Sequence, residues 1–178
     1  RVHCCRHDSE RLRLLYQGTQ KWLTTMASGA GIAVSSEGVP PKNGVFLAPN
    51  HVTYADIVAI STVVPTWYVA KADVLHWPVF KWIFRFSRNL TVDRTDIRRL
   101  QATNAAIAQR INDGYNVCVF LEGTSSAGDD VLPFRGPLLQ PALDGKTDIV
   151  PVHIQWSASD PAIVIGDDIA YWREHVIF

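Results

Sequence analysis

Apolar residues recur along this chain in two rhythms. From Ser9 to Ala27 they fall every third or fourth position (Leu12, Leu15, Tyr16, Leu23, Met26) between Arg11, Arg13 and Lys21. That spacing predicts an amphipathic helix over residues 9–27, with Ser9 in the cap position. A second helix begins near Ala55 and carries Ile57, Val58 and Ile60, and a third, interrupted at Pro78, covers Asp73 to Phe86. The most regular runs from Asp96 to Asp113. Its inner face holds Ile97, Leu100, Asn104, Ile107, Ala108 and Ile111, and Gly114 stops it. The other rhythm is the short unbroken apolar run of a buried strand. Such runs occur at Ile32–Ser36, Gly44–Ala48, Trp67–Ala70, Leu90–Val92, Asn116–Leu121, Asp148–Gln155 and Ala162–Ile165. Strands alternating with helices predict an α/β fold: one domain with a mixed, mostly parallel sheet flanked by helices.

Composition narrows the picture. The 178 residues suffice for one sizeable core, and the 19% charged content is low enough to imply a partly lipid-facing surface. Net charge is zero, which removes the global field expected of a nucleic-acid binder. Residues 81 to 99 are locally basic, with Lys81, Arg85, Arg88, Arg94, Arg98 and Arg99 against Asp93 and Asp96. Beside them stand Trp77, Phe80, Trp82, Phe84 and Phe86, which fit either a helix at a lipid interface or core packing under the sheet. Three cysteines give no disulfide framework; Cys118 reads as a buried strand thiol. No run of 18 apolar residues is present, so no span of the bilayer is expected within this sequence. It starts at Arg1 without a methionine, leaving room for residues upstream.

Candidate chemistry falls just after predicted strands, where open α/β sheets bind ligands. His51 follows one strand, Arg94 another, and Glu122-Gly123-Thr124 a third. If the loop between His51 and Asp56 curls back, the carboxylate fixes one imidazole nitrogen and the other is free to take a proton. The same two residues also fit a plain helix start, with His51 as cap and Asp56 a first-turn carboxylate. Arg94 offers a planar fork to a phosphate, and the Gly-Thr-Ser-Ser turn offers backbone amides. The six histidines show no metal-ligand spacing, and neither a Gly-x-Ser-x-Gly elbow nor a P-loop occurs.

The order of these pieces resembles the glycerolipid acyltransferases, of which 1-acyl-glycerol-3-phosphate acyltransferase is the best-known type. Four blocks match: Asn50-His51 to Asp56 (the NHxxxxD motif), Leu90-Thr91-Val92-Asp93-Arg94, Phe120-Leu121-Glu122-Gly123-Thr124 and Ile149-Val150-Pro151-Val152. The resemblance covers residues 40 to 170 and implies an O-acyltransferase of phospholipid biosynthesis. It would move a fatty acyl group from acyl-CoA or acyl carrier protein to the hydroxyl of 1-acyl-glycerol-3-phosphate, giving phosphatidic acid, without a cofactor or metal. On that resemblance His51 is the general base and Asp56 its orienting partner. Arg94 holds the acceptor phosphate, Glu122, Gly123 and Thr124 shape its pocket, Lys71 assists, and Pro151 belongs to the acyl-donor side. Residues 1–30 become an N-terminal amphipathic helix associated with the membrane, and residues 31–178 the acyltransferase domain. The chain ends at Phe178, earlier than members of that family usually do. The expected location is peripheral or anchored on the cytoplasmic face of the cell membrane, with the membrane surface and a lysolipid as partners and no nucleic acid. Arg88 stands where the family commonly has glycine, and Ser125 where many members have arginine. The Glu-Gly-Thr-Ser-Ser form with Val131 to Arg135 is closer to the lyso-ornithine lipid acyltransferases, which makes O-acylation of a lyso-aminolipid the alternative. A non-catalytic lipid-binding module is the other.

Overall fold

Five of the apolar runs assemble into one sheet. A computed structural model of the chain describes residues 2–73, 87–93, 96–165 and 168. In chain order the elements are α1 (Val2–Gly29), β1 (Phe46–Pro49), α2 (Ala55–Val63), β2 (Trp67–Lys71), β3 (Leu90–Val92), α3 (Ile97–Asn112), β4 (Val117–Cys118), a 3₁₀ turn (Gly136–Leu138), α4 (Gln140–Asp144) and β5 (Ile149–Val152). The strand order is β3-β2-β4-β1-β5, and every described pairing is parallel.

Side-chain alternation on these strands builds two cores. Phe46, Trp67 and Val117 point to one face, where they meet Tyr16 of α1 and Ile107 and Ile111 of α3. Leu47, Tyr68 and Cys118 point to the other and meet Ile60 and Val64 around α2. Burial, with the charge of Asp56 adding to it, pushes the Cys118 thiol well above its ordinary range.

The ends of the strands opposite the candidate residues are tied together by Asn116, which is fully buried. Its Oδ1 accepts from the Val45 N–H, and its Nδ2 donates to the carbonyls of Lys42 and Pro65. Tyr16 joins the same hub, because its hydroxyl donates to the Pro65 carbonyl and accepts from the Asn116 N–H at 3.1 Å. One side chain of α1 thereby fastens that helix to the starts of β2 and β4.

Several expectations need correction. The segment Ile32–Ser36 forms no strand: it runs largely exposed past the end of α1, without a partner edge. Ala162–Ile165 is not a strand either. There the Asp160 and Asp168 carboxylates accept from the Ala162 and Val164 N–H groups, taking the amides a ladder would need. Because α1 already begins at Val2, Ser9 is an interior residue rather than a cap. Met26 and Ile97, expected on buried faces, are 42% and 73% exposed. Ile97 opens α3, whose true cap is Asp96, accepting from the Arg98 and Arg99 N–H groups. The helix expected from Asp73 to Phe86, with its aromatics, lies almost wholly outside the described residues.

Arg88 has φ +57°, a left-handed conformation that favours glycine. Arg88→Gly relieves that strain but loosens the unfolded chain, so a net stabilisation of about 1 kcal/mol or less is expected in denaturant titration. Tyr16→Phe leaves the buried Asn116 N–H without its acceptor, while the Pro65 carbonyl keeps the Asn116 Nδ2, and the loss should be about 1–3 kcal/mol in the same measurement. Burial raises the Tyr16 hydroxyl from 10.0 to about 12. The stability it contributes is therefore present below pH 10 and lost as pH rises towards about 12. The phenylalanine variant should show less of that alkaline loss.

Candidate functional site

Three neighbouring strands deliver the site. β4, β1 and β5 lie side by side, and the loops leaving their carboxyl ends meet above them. The loop after β1 is sewn to the segment after β5 by Asn50. Its Nδ2 donates to the Ile154 carbonyl at 3.0 Å, and its Oδ1 accepts from the Ile154 N–H at 2.6 Å. On the other side it is held by the loop after β4. The His51 N–H donates to Oε1 of Glu122 at 2.7 Å, and the His51 carbonyl accepts from the Ser126 N–H at 2.9 Å.

With its backbone fixed on both sides, His51 turns its ring back towards α2. Nδ1 lies 2.9 Å from Oδ2 of Asp56. The same Oδ2 accepts from the N–H groups of Val52 at 2.7 Å and Thr53 at 3.0 Å. A carboxylate oxygen that already receives two amide protons is an acceptor, so the proton in the His51 contact sits on Nδ1. Nε2 is then the basic nitrogen, with no hydrogen bond among the described residues. The ring is stacked on Phe120, centroids 4.0 Å apart and planes 24° apart, which limits its rotation. His51 keeps 14% of its side chain exposed while Asp56 is fully buried. The reading of His51 as a mere helix cap does not describe this geometry: α2 begins at Ala55 after Tyr54, and Asp56, in the first turn, receives the imidazole proton.

The other candidate residues fall in different places. Glu122 is buried, with Oε1 on the His51 N–H and Oε2 on the Leu132 N–H at 2.9 Å, so both its oxygens support backbone. Gly123 follows at φ +76°, which turns the chain away from the strand, and Thr124 is exposed. Lys71 is exposed at the end of β2 and ion-paired with Asp73. Pro151 is exposed on β5, in register with Ala48. Arg94 lies outside the described residues. No group of three or more metal-ligating side chains occurs among the described residues.

Two participants had no role assigned from sequence. Asn50 was visible as part of a motif, but its bond to Ile154 was not. Trp156 gave no local signal, being 100 positions from its partner; its indole Nε1 donates to Oδ1 of Asp56 at 2.7 Å.

A buried carboxylate, an oriented imidazole with a free basic nitrogen, and a parallel sheet are the equipment of general-base chemistry on a hydroxyl. Residues 31–155 match the family model described as Acyltransferase, and the chain belongs to that family. Among individual relatives it is 31% identical over 126 residues to the 1-acyl-sn-glycerol-3-phosphate acyltransferase of Neisseria gonorrhoeae, covering 71% of this chain and 49% of that one. It is 28% identical over 156 residues to the lyso-ornithine lipid O-acyltransferase of Pseudomonas aeruginosa, covering 84% of this chain and 59% of that one. In fold it is similar to the 1-acyl-sn-glycerophosphate acyltransferase PlsC of Thermotoga maritima, with a TM-score of 0.61 at 23% identity, over 82% of this chain and 59% of that one. The chain thus spans about half to three-fifths of the length of these relatives.

Glu122→Gln replaces one acceptor oxygen by an NH₂ group and leaves either the His51 or the Leu132 N–H facing a donor. Chemical denaturation should show a loss of about 1–3 kcal/mol, the cost of an unpaired buried donor.

Proposed function

We propose that the chain transfers a fatty acyl group from a thioester, acyl-CoA or acyl carrier protein, to the hydroxyl of 1-acyl-glycerol-3-phosphate, forming phosphatidic acid. The observation that carries this reading is the His51 Nδ1–H to Asp56 contact at 2.9 Å, which leaves Nε2 as the basic nitrogen. Nε2 takes the proton of the acceptor hydroxyl as its oxygen attacks the thioester carbon. The tetrahedral intermediate collapses, the carbon–sulfur bond breaks, and the imidazolium returns the proton to the departing thiolate. No acyl-enzyme forms, and no cofactor or metal takes part.

In this reading Arg94 and Lys71 attract the acceptor phosphate, Gly123 and Thr124 line its pocket, and Glu122 shapes that pocket by holding the His51 loop. Pro151 sits on the acyl-donor side. Residues 1–30 form a membrane-associated helix and residues 31–178 the acyltransferase domain, on the cytoplasmic face of the cell membrane. In support, α1 exposes Leu14, Trp22 and Met26 near Arg11 and Lys21, a combination suited to a lipid interface. Among the described residues no helix is long and apolar enough to cross a membrane.

A second acceptor, a lyso-aminolipid such as lyso-ornithine lipid, is favoured by one finding: the Pseudomonas relative with that name matches 84% of this chain. The two acceptors are separated by supplying each with acyl-CoA or acyl carrier protein and following thioester loss and product mass. We expect transfer to 1-acyl-glycerol-3-phosphate, and a drop of about 10²–10⁴-fold in His51→Ala. Wild-type turnover in that variant defeats the mechanism. An intact chain that consumes no thioester with either acceptor is instead a lipid-binding module.

A further inference from the structure

We propose that Trp156 is a positioning residue for acyl transfer: its indole N–H holds the second oxygen of Asp56 and thereby sets the direction of the His51 base. The inference rests on the acyl-transfer reading of the site.

The two oxygens of Asp56 are treated differently. Oδ2 receives all three of its donors from the adjoining loop, His51 Nδ1, Val52 N–H and Thr53 N–H. These contacts fix one oxygen and come only from the three residues that precede the α2 turn. Oδ1 has Trp156 Nε1 at 2.7 Å, reaching across from the segment after β5. That segment is itself anchored, because Ile154 makes the reciprocal pair with Asn50. The indole contact therefore ties the second oxygen of Asp56 to the chain leaving β5, and both oxygens together fix the carboxylate plane.

The donor type matters as much as the place. An indole N–H donates and cannot accept, so it satisfies a buried carboxylate in a single sense. It also carries no formal charge. A lysine or arginine here would neutralise Asp56, whereas Trp156 leaves the full negative charge to support an imidazolium on His51.

The test compares Trp156→Phe, which keeps a large flat ring and removes the N–H, with the wild type. First, the indole N–H resonance of Trp156 is assigned among the six tryptophans by its loss in that variant. In Asp56→Ala it should move upfield and exchange faster with solvent, while in His51→Ala it should stay hydrogen-bonded. Second, Trp156→Phe should lower kcat about 10- to 100-fold, as for a lost hydrogen bond to a charged group, with KM for donor and acceptor unchanged. A resonance indifferent to Asp56→Ala overturns the contact. Unchanged kcat in Trp156→Phe, or a fall in melting temperature alone, assigns the ring to packing and overturns the role. Failure of the wild-type protein to transfer acyl groups at all would instead sink the functional reading, while the resonance would still report on the contact.

Discussion

The fully buried carboxylate of Asp56 is the constraint around which this molecule is organised. An isolated charge in such a place is costly enough that it exists only with its oxygens satisfied. Four donors do so: two backbone amides, one imidazole and one indole. Meeting that demand shapes the loop after β1, turns the His51 ring and places Trp156. The carboxylate also contributes, after burial itself, to the raised thiol of Cys118. A neutral thiol sealed in the core is packing material rather than a nucleophile.

What brings the four donors together is the strand order. β1 lies between β4 and β5, although these strands come about 70 and 100 residues later in the sequence. Glu122 leaves β4 to hold the His51 backbone, and the segment after β5 reaches Asn50 and Asp56. Phe120, from the same side as Glu122, supplies the surface on which the imidazole lies. His51 is thus held by contacts from the ends of β4 and β5 as well as by its own strand, which restricts the rotamers its ring can adopt. At the opposite ends of the strands Asn116 and Tyr16 perform the complementary structural task.

Local errors in reading the sequence had a common source. Ile32–Ser36 and Ala162–Ile165 have the apolar content of strands, but strand formation needs a neighbouring edge with unpaired amides. At Ala162–Ile165 nearby aspartates took the amides instead. Ile97 follows the period of α3 yet opens its first turn and is exposed. Arg88 shows the reverse case. There the left-handed backbone explains physically why a glycine is expected, although the chain carries a larger residue.

Sequence by itself determined the parallel α/β class, since buried apolar runs alternating with amphipathic helices have few other ways to hide both faces of a sheet. It also brought His51 and Asp56 within reach of each other, because five residues across a strand-to-helix loop suffice for the contact. Only the tertiary structure decided that Glu122 spends both oxygens on backbone amides and that Asp56 has a second anchor in Trp156. The Glu122 contact with His51 and the Trp156 contact with Asp56 join residues 71 and 100 positions apart. Spacing along a chain carries no record of which strand lies beside which, so such partners become visible only once the sheet order is set.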